Sequence, residues 1–234
     1  SSEERETFIR KHSLCKINPD TKKRISSTKV VIFTGNPINA TRLRKIFDSE
    51  VLFIANGAGH NPVVVTPSAN LSQAVDACIK VQTYNQGQDC AAPNAILVHK
   101  KVYDGFLKLL KVRLKKVKTG PYTNKLNIIG PISERKNLEK IICILNENSE
   151  WLDSAYRGNL NIKDCLVSPT IIAKPLARGG NYEEAFAPIF FVQKYEKDSE
   201  LSSYFENSRY EENAMYITVF GESKYVESLL HYTS

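Results

Sequence analysis

The residues with the clearest capacity for chemistry lie in one short turn. The segment NQGQDCAAP, residues 85–93, places Cys90 shortly after a glycine, between a predicted helix and a predicted strand. A thiol on such a turn can face a cleft, and nearby backbone N–H groups favour its thiolate form. The residues alone leave two interpretations open, a nucleophilic cysteine and a buried structural one.

The remaining cysteines and the histidines give no pattern typical of a metal site. The chain has 5 cysteines, an odd number, with no CxxC pair, and its 4 histidines are scattered. This argues against a disulfide framework and against a zinc site, so we predict no metal. We expect the cysteines other than Cys90 to be core thiols that pack as small hydrophobic side chains.

The elements that would position Cys90 alternate between strands and helices, which predicts an α/β fold. Two early strands are predicted over residues 30–34 and 51–55, with a helix over 40–47 between them. Both faces of these strands are apolar, as in a parallel sheet that helices cover. Further predicted strands lie at 63–65, 95–99, 166–173, 189–192 and 214–220, and further helices at 71–84, 135–146 and 223–230.

The charge of the chain suggests no special partner. Lys and Arg number 32 against 25 Asp and Glu, and the net charge is +7. Much of the excess lies in the first residues and in residues 100–118, where apolar residues recur at helical spacing and predict an amphipathic helix with a solvated basic face. We therefore expect no nucleic-acid partner. No apolar run reaches the roughly 18 residues of a membrane span, and no secretory signal is evident, so we predict a cytoplasmic protein without membrane contact.

The Cys90 turn resembles the GQxC turn of the aldehyde dehydrogenase superfamily, which carries the nucleophilic cysteine of that family. In the family a strand ending in VH and then YDxF follow the cysteine, and this chain has VH at residues 98–99 and YDGF at 103–106. Five further segments resemble the family in the same order: FTG at 33–35, NGAGHNP at 56–62, GPI at 130–132, SPT at 168–170 and EAFAPI at 184–189. The resemblance runs from Val30 to Tyr232.

This resemblance implies a three-layer α/β catalytic domain with a trailing piece of a Rossmann-like nucleotide-binding sheet. It divides the chain into a charged N-terminal arm at residues 1–29, a remnant of the nucleotide-binding domain at 30–56 and the catalytic domain at 57–234. Members of the family are about twice as long as this chain. We therefore expect the catalytic part of a larger or partnered enzyme, which forms a homo-oligomer when complete.

The resemblance also implies a mechanism and a set of site residues. Cys90 would attack an aldehyde to give a thiohemiacetal, and oxidation by NAD or NADP would leave a thioester on Cys90. The backbone N–H of Cys90 would help to hold the oxyanion. Glu184 would bind the nicotinamide ribose and Phe186 would lie beside the nicotinamide. Gly35 and Gly57 would allow the cofactor to approach the strand ends closely.

One catalytic position departs from the family. Asn56 stands where the family has the glutamate that activates water to release the acid, and an amide cannot take a proton from water at working pH. This departure leaves three outcomes open: slow hydrolysis, activation of water by another group, or transfer of the acyl group to coenzyme A, as in acylating members. Alternatively, Asn56 merely caps the strand end.

The cofactor segment departs as well. Asn36 and Ala40 replace the usual Ser and Gly that follow FTG, which weakens the phosphate-facing part of the predicted cofactor site. Together with Asn56 and the length of the chain, this keeps a further alternative open. The chain would then be a catalytically impaired aldehyde dehydrogenase-like module that serves binding.

Overall fold

The computed structural model describes residues 28–230, and the chain divides into two compact units between Ala58 and Gly59. The predicted border between the nucleotide-binding remnant and the catalytic domain followed residue 56. The predicted N-terminal arm, residues 1–29, falls almost wholly outside the described residues.

The first unit is a strand–helix–strand motif. Strand β1 (Val30–Thr34) pairs in parallel with β2 (Leu52–Asn56), and helix α1 (Pro37–Arg44) connects them. The helix begins earlier than the predicted residue 40. Its start is fixed by Asn36, whose Oδ1 accepts a hydrogen bond of 2.8 Å from the Ile38 N–H, and by the proline at the first helical position.

The predicted burial of this two-stranded sheet is wrong. Ile32 is 68% exposed and Leu52 is 58% exposed, and the other residues of the two strands are exposed or half-buried. The apolar pattern predicted two covered faces. Within the described residues the unit has one short helix, which can cover at most one face.

The second unit is built on a six-stranded sheet with the order β10-β3-β4-β9-β8-β5. Neighbouring strands are parallel, except that the edge strand β5 runs antiparallel to β8. The strands are β3 (Val63–Val65), β4 (Ile96–His99), β5 (Leu152–Arg157), β8 (Thr170–Pro175), β9 (Ile189–Tyr195) and β10 (Thr218–Phe220). A small antiparallel pair joins β6 (Leu160–Asn161) and β7 (Leu166–Val167).

Helices cover both faces of this sheet. They are α2 (Leu71–Thr83), α3 (Lys100–Leu114), α4 (Lys136–Glu147), α5 (Asp198–Phe205), α6 (Ser208–Glu211) and α7 (Lys224–Leu230). Because side chains alternate along a strand, Val63 and Val65 pack with the core that includes Phe106 of α3, whereas Val64 packs with the core that includes Leu201 of α5. This arrangement confirms the predicted three-layer α/β fold.

The basic helix has the predicted amphipathic character. Phe106, Leu110 and Leu114 of α3 are buried, whereas Lys108 and Lys115 are exposed. Apolar positions recur every four residues and hold the helix on the sheet, while the lysine heads remain in solvent. Its positive charge is thus explained by a solvated helix face.

Three sequence predictions needed correction. The strand predicted over 166–173 is divided into β7 and β8 around Pro169, which lacks the N–H that a ladder requires. The strand predicted over 214–220 shrinks to β10, with Ala214 forming only an isolated bridge to His60. Strands β5 and β6 and helices α5 and α6 were not predicted at all.

The described cysteines differ in exposure. Cys78 is buried on α2 as predicted, whereas Cys143 is exposed and Cys165 is half-buried, so the prediction of a core thiol is wrong for Cys143. Cys143 lies on the solvent side of α4, whose buried residues include Ile141 and Ile144. Within residues 28–230, no helix is both long and apolar enough to cross a membrane.

Candidate active site

The Cys90 turn begins with an unusual backbone. After α2 the chain passes through three successive residues in the left-handed region: Asn85, Gln86 and Gly87, with φ values of 44°, 59° and 73°. A Cβ on Gly87 would collide with the backbone of Ala187. Position 87 therefore requires glycine for two reasons, the positive φ and the lack of space for a Cβ. The glycine allows the turn to pack directly on the 184–189 segment.

Side chains fasten this turn on both sides. Gln82 Nε2 donates to the Ala187 carbonyl at 3.0 Å. On the other side, Gln88 Oε1 accepts from the backbone N–H and the hydroxyl of Ser133, at 2.9 and 2.7 Å. In the GQ pair of the motif, Gly87 thus packs closely on the Ala187 backbone, and the Gln88 side chain holds Ser133.

The carbonyl of Cys90 is held by the segment that follows Ala58. Asn61 Nδ2 donates to it at 2.5 Å, and Asn94 Oδ1 accepts from the Asn61 backbone N–H at 2.9 Å. Gly59 packs against the same carbonyl so closely that a Cβ there would collide with the oxygen. These contacts fix the backbone next to the thiol.

Two further residues flank the thiol. Asp89 Oδ1 accepts from the Ala91 N–H at 2.9 Å, and the Tyr216 hydroxyl donates to the Ala91 carbonyl at 2.6 Å. The pKa of Tyr216 is raised by burial and by the neighbouring Asp89 and Cys90. Tyr216 is therefore part of the surroundings of Cys90.

The electrostatics at Cys90 disfavour the thiolate. Its pKa is raised from the ordinary 9.0, first by burial and then by the negative charges of Asp89 and Glu184. Its own backbone N–H lowers the pKa, as the sequence suggested, but this effect is outweighed. The backbone N–H of Cys90 has no other hydrogen-bond acceptor among residues 28–230.

Glu184 lies in the same cluster. Its Oε1 accepts from the Gly59 backbone N–H at 2.9 Å, and its backbone carbonyl accepts from Lys140 Nζ at 2.6 Å. Burial raises the pKa of its carboxyl group; the Gly59 N–H and Lys140 lower it, and Asp89 raises it further. The structure thus brings Glu184 and Cys90 together on two sides of Gly59.

Phe186 is half-buried and takes a left-handed backbone with φ of 48°, which is uncommon for an aromatic residue. It lines a small cavity together with Asp89 and Glu184. The space open to the centre of a water-sized sphere is about 10 Å³, close to what one water molecule needs.

The other predicted site residues lie in the first unit. Gly35 donates its N–H to the Asn56 carbonyl at 2.9 Å, and Thr34 is paired with Asn56, so both strands end together there. Gly57 follows directly, and the side chain of Asn56 is exposed.

This strand end suits a dinucleotide. The N-terminus of α1 begins one residue after Gly35, and backbone N–H groups at such a terminus bind phosphate. No acidic residue lies in its first turn. Asn36 occupies the Ile38 N–H and so removes one donor from a phosphate. The residues present therefore fit the cofactor, although the Ile38 N–H is not free to bind its phosphate.

Comparisons with known proteins identify the family of the chain. The profile of the "Aldehyde dehydrogenase family" matches residues 22–223. The chain belongs to the aldehyde dehydrogenase family. Among curated relatives, a putative aldehyde dehydrogenase AldY of Bacillus subtilis is 29% identical over 143 residues, covering 61% of this chain and 29% of the relative. A betaine aldehyde dehydrogenase of Vibrio vulnificus is 25% identical over 158 residues, covering 64% and 32%.

Solved structures show the same fold. The substrate-bound state of Staphylococcus aureus AldH gives a TM-score of 0.74 at 20% identity, over 92% of this chain and 46% of that one. A betaine aldehyde dehydrogenase from the same organism, solved in complex with NAD+, gives 0.69 at 22% identity, over 90% and 43%. This chain thus spans under half of those structures and about three tenths of the curated relatives.

Four residues of this cluster were not predicted from the sequence: Asp89, Asn61, Asn94 and Tyr216. The first two lay inside the quoted motifs, and Asn94 directly follows the Cys90 turn, so an inventory of polar side chains near Cys90 would have found them. Tyr216 lies 126 positions after Cys90 in the numbering. No local pattern marks it, and only the fold brings it to Ala91.

Proposed function

We propose that this chain carries the catalytic part of an NAD(P)-dependent aldehyde dehydrogenase, with Cys90 as the nucleophile. The observation that carries the proposal is the Cys90 turn. Its backbone is fixed by Asn61, Gly59 and Gly87, while the N–H of Cys90 has no other acceptor among the described residues. A fixed, unoccupied donor beside a thiol is what an oxyanion requires.

The steps follow from this arrangement. Cys90 Sγ attacks the aldehyde carbon, and the Cys90 N–H accommodates the negative oxygen. NAD or NADP, when bound, supplies the two-electron acceptor for the oxidation. The product is an acyl thioester on Cys90. The thiol proton passes to solvent as the C–S bond forms, and the raised pKa of Cys90 keeps the thiolate fraction low before the attack.

The cofactor residues keep their proposed roles. Gly35 and Gly57 leave the strand ends free of side chains near the N-terminus of α1. Glu184 would accept a hydrogen bond from the nicotinamide ribose through Oε2, since the Gly59 N–H already occupies Oε1. Phe186 would pack beside the nicotinamide ring.

The test is NADH or NADPH formation from a panel of aldehydes. Cys90→Ser should lose turnover by about a thousandfold or more, because the nucleophile is removed. Cys143→Ser is the matched control, since Cys143 is exposed on α4 and should not affect the rate. Turnover that survives in Cys90→Ser would contradict the proposal. A chain that forms no reduced cofactor and binds neither nucleotide in calorimetry would favour an impaired binding module.

Coenzyme A is a second candidate as the acyl acceptor. The observation that favours it is Asn56, an exposed amide at the end of β2 that cannot act as a base. The comparisons give it no support. Adding coenzyme A should raise turnover and yield an acyl-coenzyme A product; an unchanged rate would remove this candidate.

Homo-oligomerisation of the complete protein belongs to the same proposal. Light scattering of the purified protein during gel filtration measures its mass directly. A monomer at micromolar concentration would contradict this part of the proposal.

A further inference from the structure

We propose that Glu184 is the base that activates water to hydrolyse the thioester on Cys90, in the role that the amide of Asn56 cannot fill. This inference rests on the proposed function, because it requires an acyl group on Cys90. It assigns Glu184 a proton-transfer role in addition to ribose binding.

Geometry is the first support. A single glycine separates the carboxyl group of Glu184 from the backbone of Cys90. The Gly59 N–H donates to Glu184 Oε1 at 2.9 Å, while the α-carbon of Gly59 packs on the Cys90 carbonyl with no room for a Cβ. Glu184 is thereby held beside the position where the thioester would form.

The free oxygen of Glu184 is the second support. Among residues 28–230, Oε2 of Glu184 has no hydrogen-bond partner, whereas Oε1 has the Gly59 N–H. Lys140 Nζ donates to the backbone carbonyl of Glu184 and so fixes the main chain behind the carboxyl group. A carboxylate held by one oxygen and free at the other can accept a proton from water.

The cavity is the third support. Glu184 and Asp89 line a space that is close to the volume of one water molecule. Both carboxyl groups influence the pKa of Cys90, so this polar space lies in the electrostatic surroundings of the thiol. A water molecule in this cavity would lie next to the carboxyl group of Glu184, which can accept its hydrogen bond.

The charges that face Glu184 also suit a base. Burial raises the pKa of its carboxyl group and Asp89 raises it further, while Lys140 and the Gly59 N–H moderate the shift. A carboxylate with a raised pKa takes a proton from water more readily than an ordinary one.

Asp89 is the competing carboxylate. Its Oδ1 already accepts the Ala91 N–H within the turn, and Ala91 also receives the Tyr216 hydroxyl on its carbonyl. This places Asp89 in the structure of the turn itself. Asp89→Asn is therefore included as a separate variant in the test.

In the proposed hydrolysis, water attacks the thioester carbon and gives one proton to Glu184 Oε2. The tetrahedral intermediate collapses, the C–S bond breaks, and the carboxylic acid leaves while Cys90 departs as a thiolate. Cys90 then regains a proton, and Glu184 and the ionising acid product release theirs to solvent. Because ribose binding uses the same oxygen, hydrolysis follows the departure of the nucleotide.

The experiment uses p-nitrophenyl acetate, which acylates a reactive cysteine without a nucleotide. The 234-residue chain should give a burst of nitrophenolate followed by steady turnover. Glu184→Gln should retain the burst and slow the steady phase by about a hundredfold or more. Mass spectrometry should show acetyl-Cys90 accumulating. The Gln side chain can still accept the Gly59 N–H, so the fold is preserved.

Three further variants separate the possible causes. Glu147→Gln is the matched control, because Glu147 is exposed at the end of α4 and does not line the cavity, and it should behave as the parent chain. Glu184→Asp retains a carboxylate and should recover part of the steady rate. Asp89→Asn removes a charge that raises the pKa of Glu184, so it should retain the steady phase and move its pH dependence to lower pH.

The outcomes are distinguishable. In the parent chain the steady rate should rise with pH through the raised pKa of Glu184, and this rise should vanish in Glu184→Gln. A Glu184→Gln variant with the parent's steady rate, or loss of the steady phase in Asp89→Asn instead, would overturn the inference and leave the proposed function intact. No burst and no acetyl-Cys90 in the parent chain would overturn the proposed function itself.

Discussion

The two units of this chain differ in how completely their backbone is enclosed. In the second unit, helices lie on both faces of the sheet, and the Cys90 turn is fastened by Gln82, Gln88, Asn61 and Tyr216. In the first unit, the strands present large apolar side chains to solvent, and Ala40 and Val51 are the buried residues described there.

This difference shows that apolar composition alone does not determine whether a strand is buried. Strands β1 to β4 are paired in parallel within their sheets and are rich in valine and isoleucine, so their sequences look alike. Enclosure depends on how many covering elements each sheet has. The same substitution should therefore cost much more free energy in the second unit than in the first, and matched pairs of variants test this directly.

The largest difference is expected at glycines with positive φ. Gly87→Ala should reduce the free energy of unfolding by about 3 kcal/mol, because a left-handed alanine is strained and its Cβ would collide with the Ala187 backbone. Gly35→Ala meets only the Phe33 ring, which can move, and should cost about 1–2 kcal/mol.

Two probes measure this pair separately. The chain has 1 tryptophan, Trp151, so its fluorescence in urea reports on the second unit. Hydrogen exchange of the β1 and β2 amides reports on the first. Equal costs at Gly87 and Gly35 would contradict the comparison.

Asparagine side chains should show the next largest difference. Asn94 is 3% exposed; it accepts from Asn61 and donates to the Asn181 carbonyl and the Tyr204 hydroxyl. Asn94→Ala leaves these buried groups unpaired and should cost about 2–3 kcal/mol in the same urea experiment. Asn36→Ala removes an exposed helix cap and should cost about 1 kcal/mol in hydrogen exchange. Asn94→Ala at or below the cost of Asn36→Ala would count against an enclosed second unit.

Deletion of one methyl group gives a smaller contrast. Ile171 of β8 is fully buried, whereas Ile32 of β1 is 68% exposed. Ile171→Val should cost about 1 kcal/mol, because it leaves a small cavity in a packed core. Ile32→Val should stay within about 0.5 kcal/mol of the parent chain. Similar losses for both would mean that the strands of the first unit are covered in solution.

The smallest expected difference is between two cysteines of the second unit, Cys78 and Cys90, in their rates of alkylation by iodoacetamide. Cys78 is buried with a pKa of about 12 and should stay unlabelled in the folded chain. Cys90 has a pKa above 9.0, so its labelling rate should still rise with pH at pH 9.

Asp89→Asn sharpens this test. It removes a negative charge that raises the pKa of Cys90, so labelling at pH 8 should become several-fold faster. Glu147→Gln, at an exposed position on α4, should leave the rate unchanged. Peptide mass spectrometry identifies the labelled cysteine. An unaltered rate in Asp89→Asn would show that this carboxylate does not act on the thiol.

Much of the fold was predictable from local patterns. Helices α2, α3 and α4 have a clear apolar period, and the predicted ranges agree with the structure within a few residues. Strand β5 was missed because its sequence LDSAYR lacks a regular apolar alternation and its pairing with β8 is irregular. The position of β5 depends on its pairing with β8, and a local sequence pattern does not reveal that pairing.

The candidate site was predictable only in part. Cys90 and Glu184 lie in motifs, and the structure brings them together on either side of Gly59. The raised pKa of Cys90 could not be predicted, because it depends on burial and on a carboxylate from a distant segment. Tyr216 was missed for a similar reason, since its contact with Ala91 arises only from the tertiary fold.

The open two-stranded sheet has a consequence for self-association. The edges of the six-stranded sheet are a three-residue strand, β10, and an antiparallel strand with a shifted register, β5, and both are poor templates for another chain. Strands β1 and β2 are regular, apolar and exposed, and within the described residues each has one paired edge. VVIFT and LFIAN are therefore the segments at which the isolated chain should begin to aggregate, and a lysine on the exposed face should delay it.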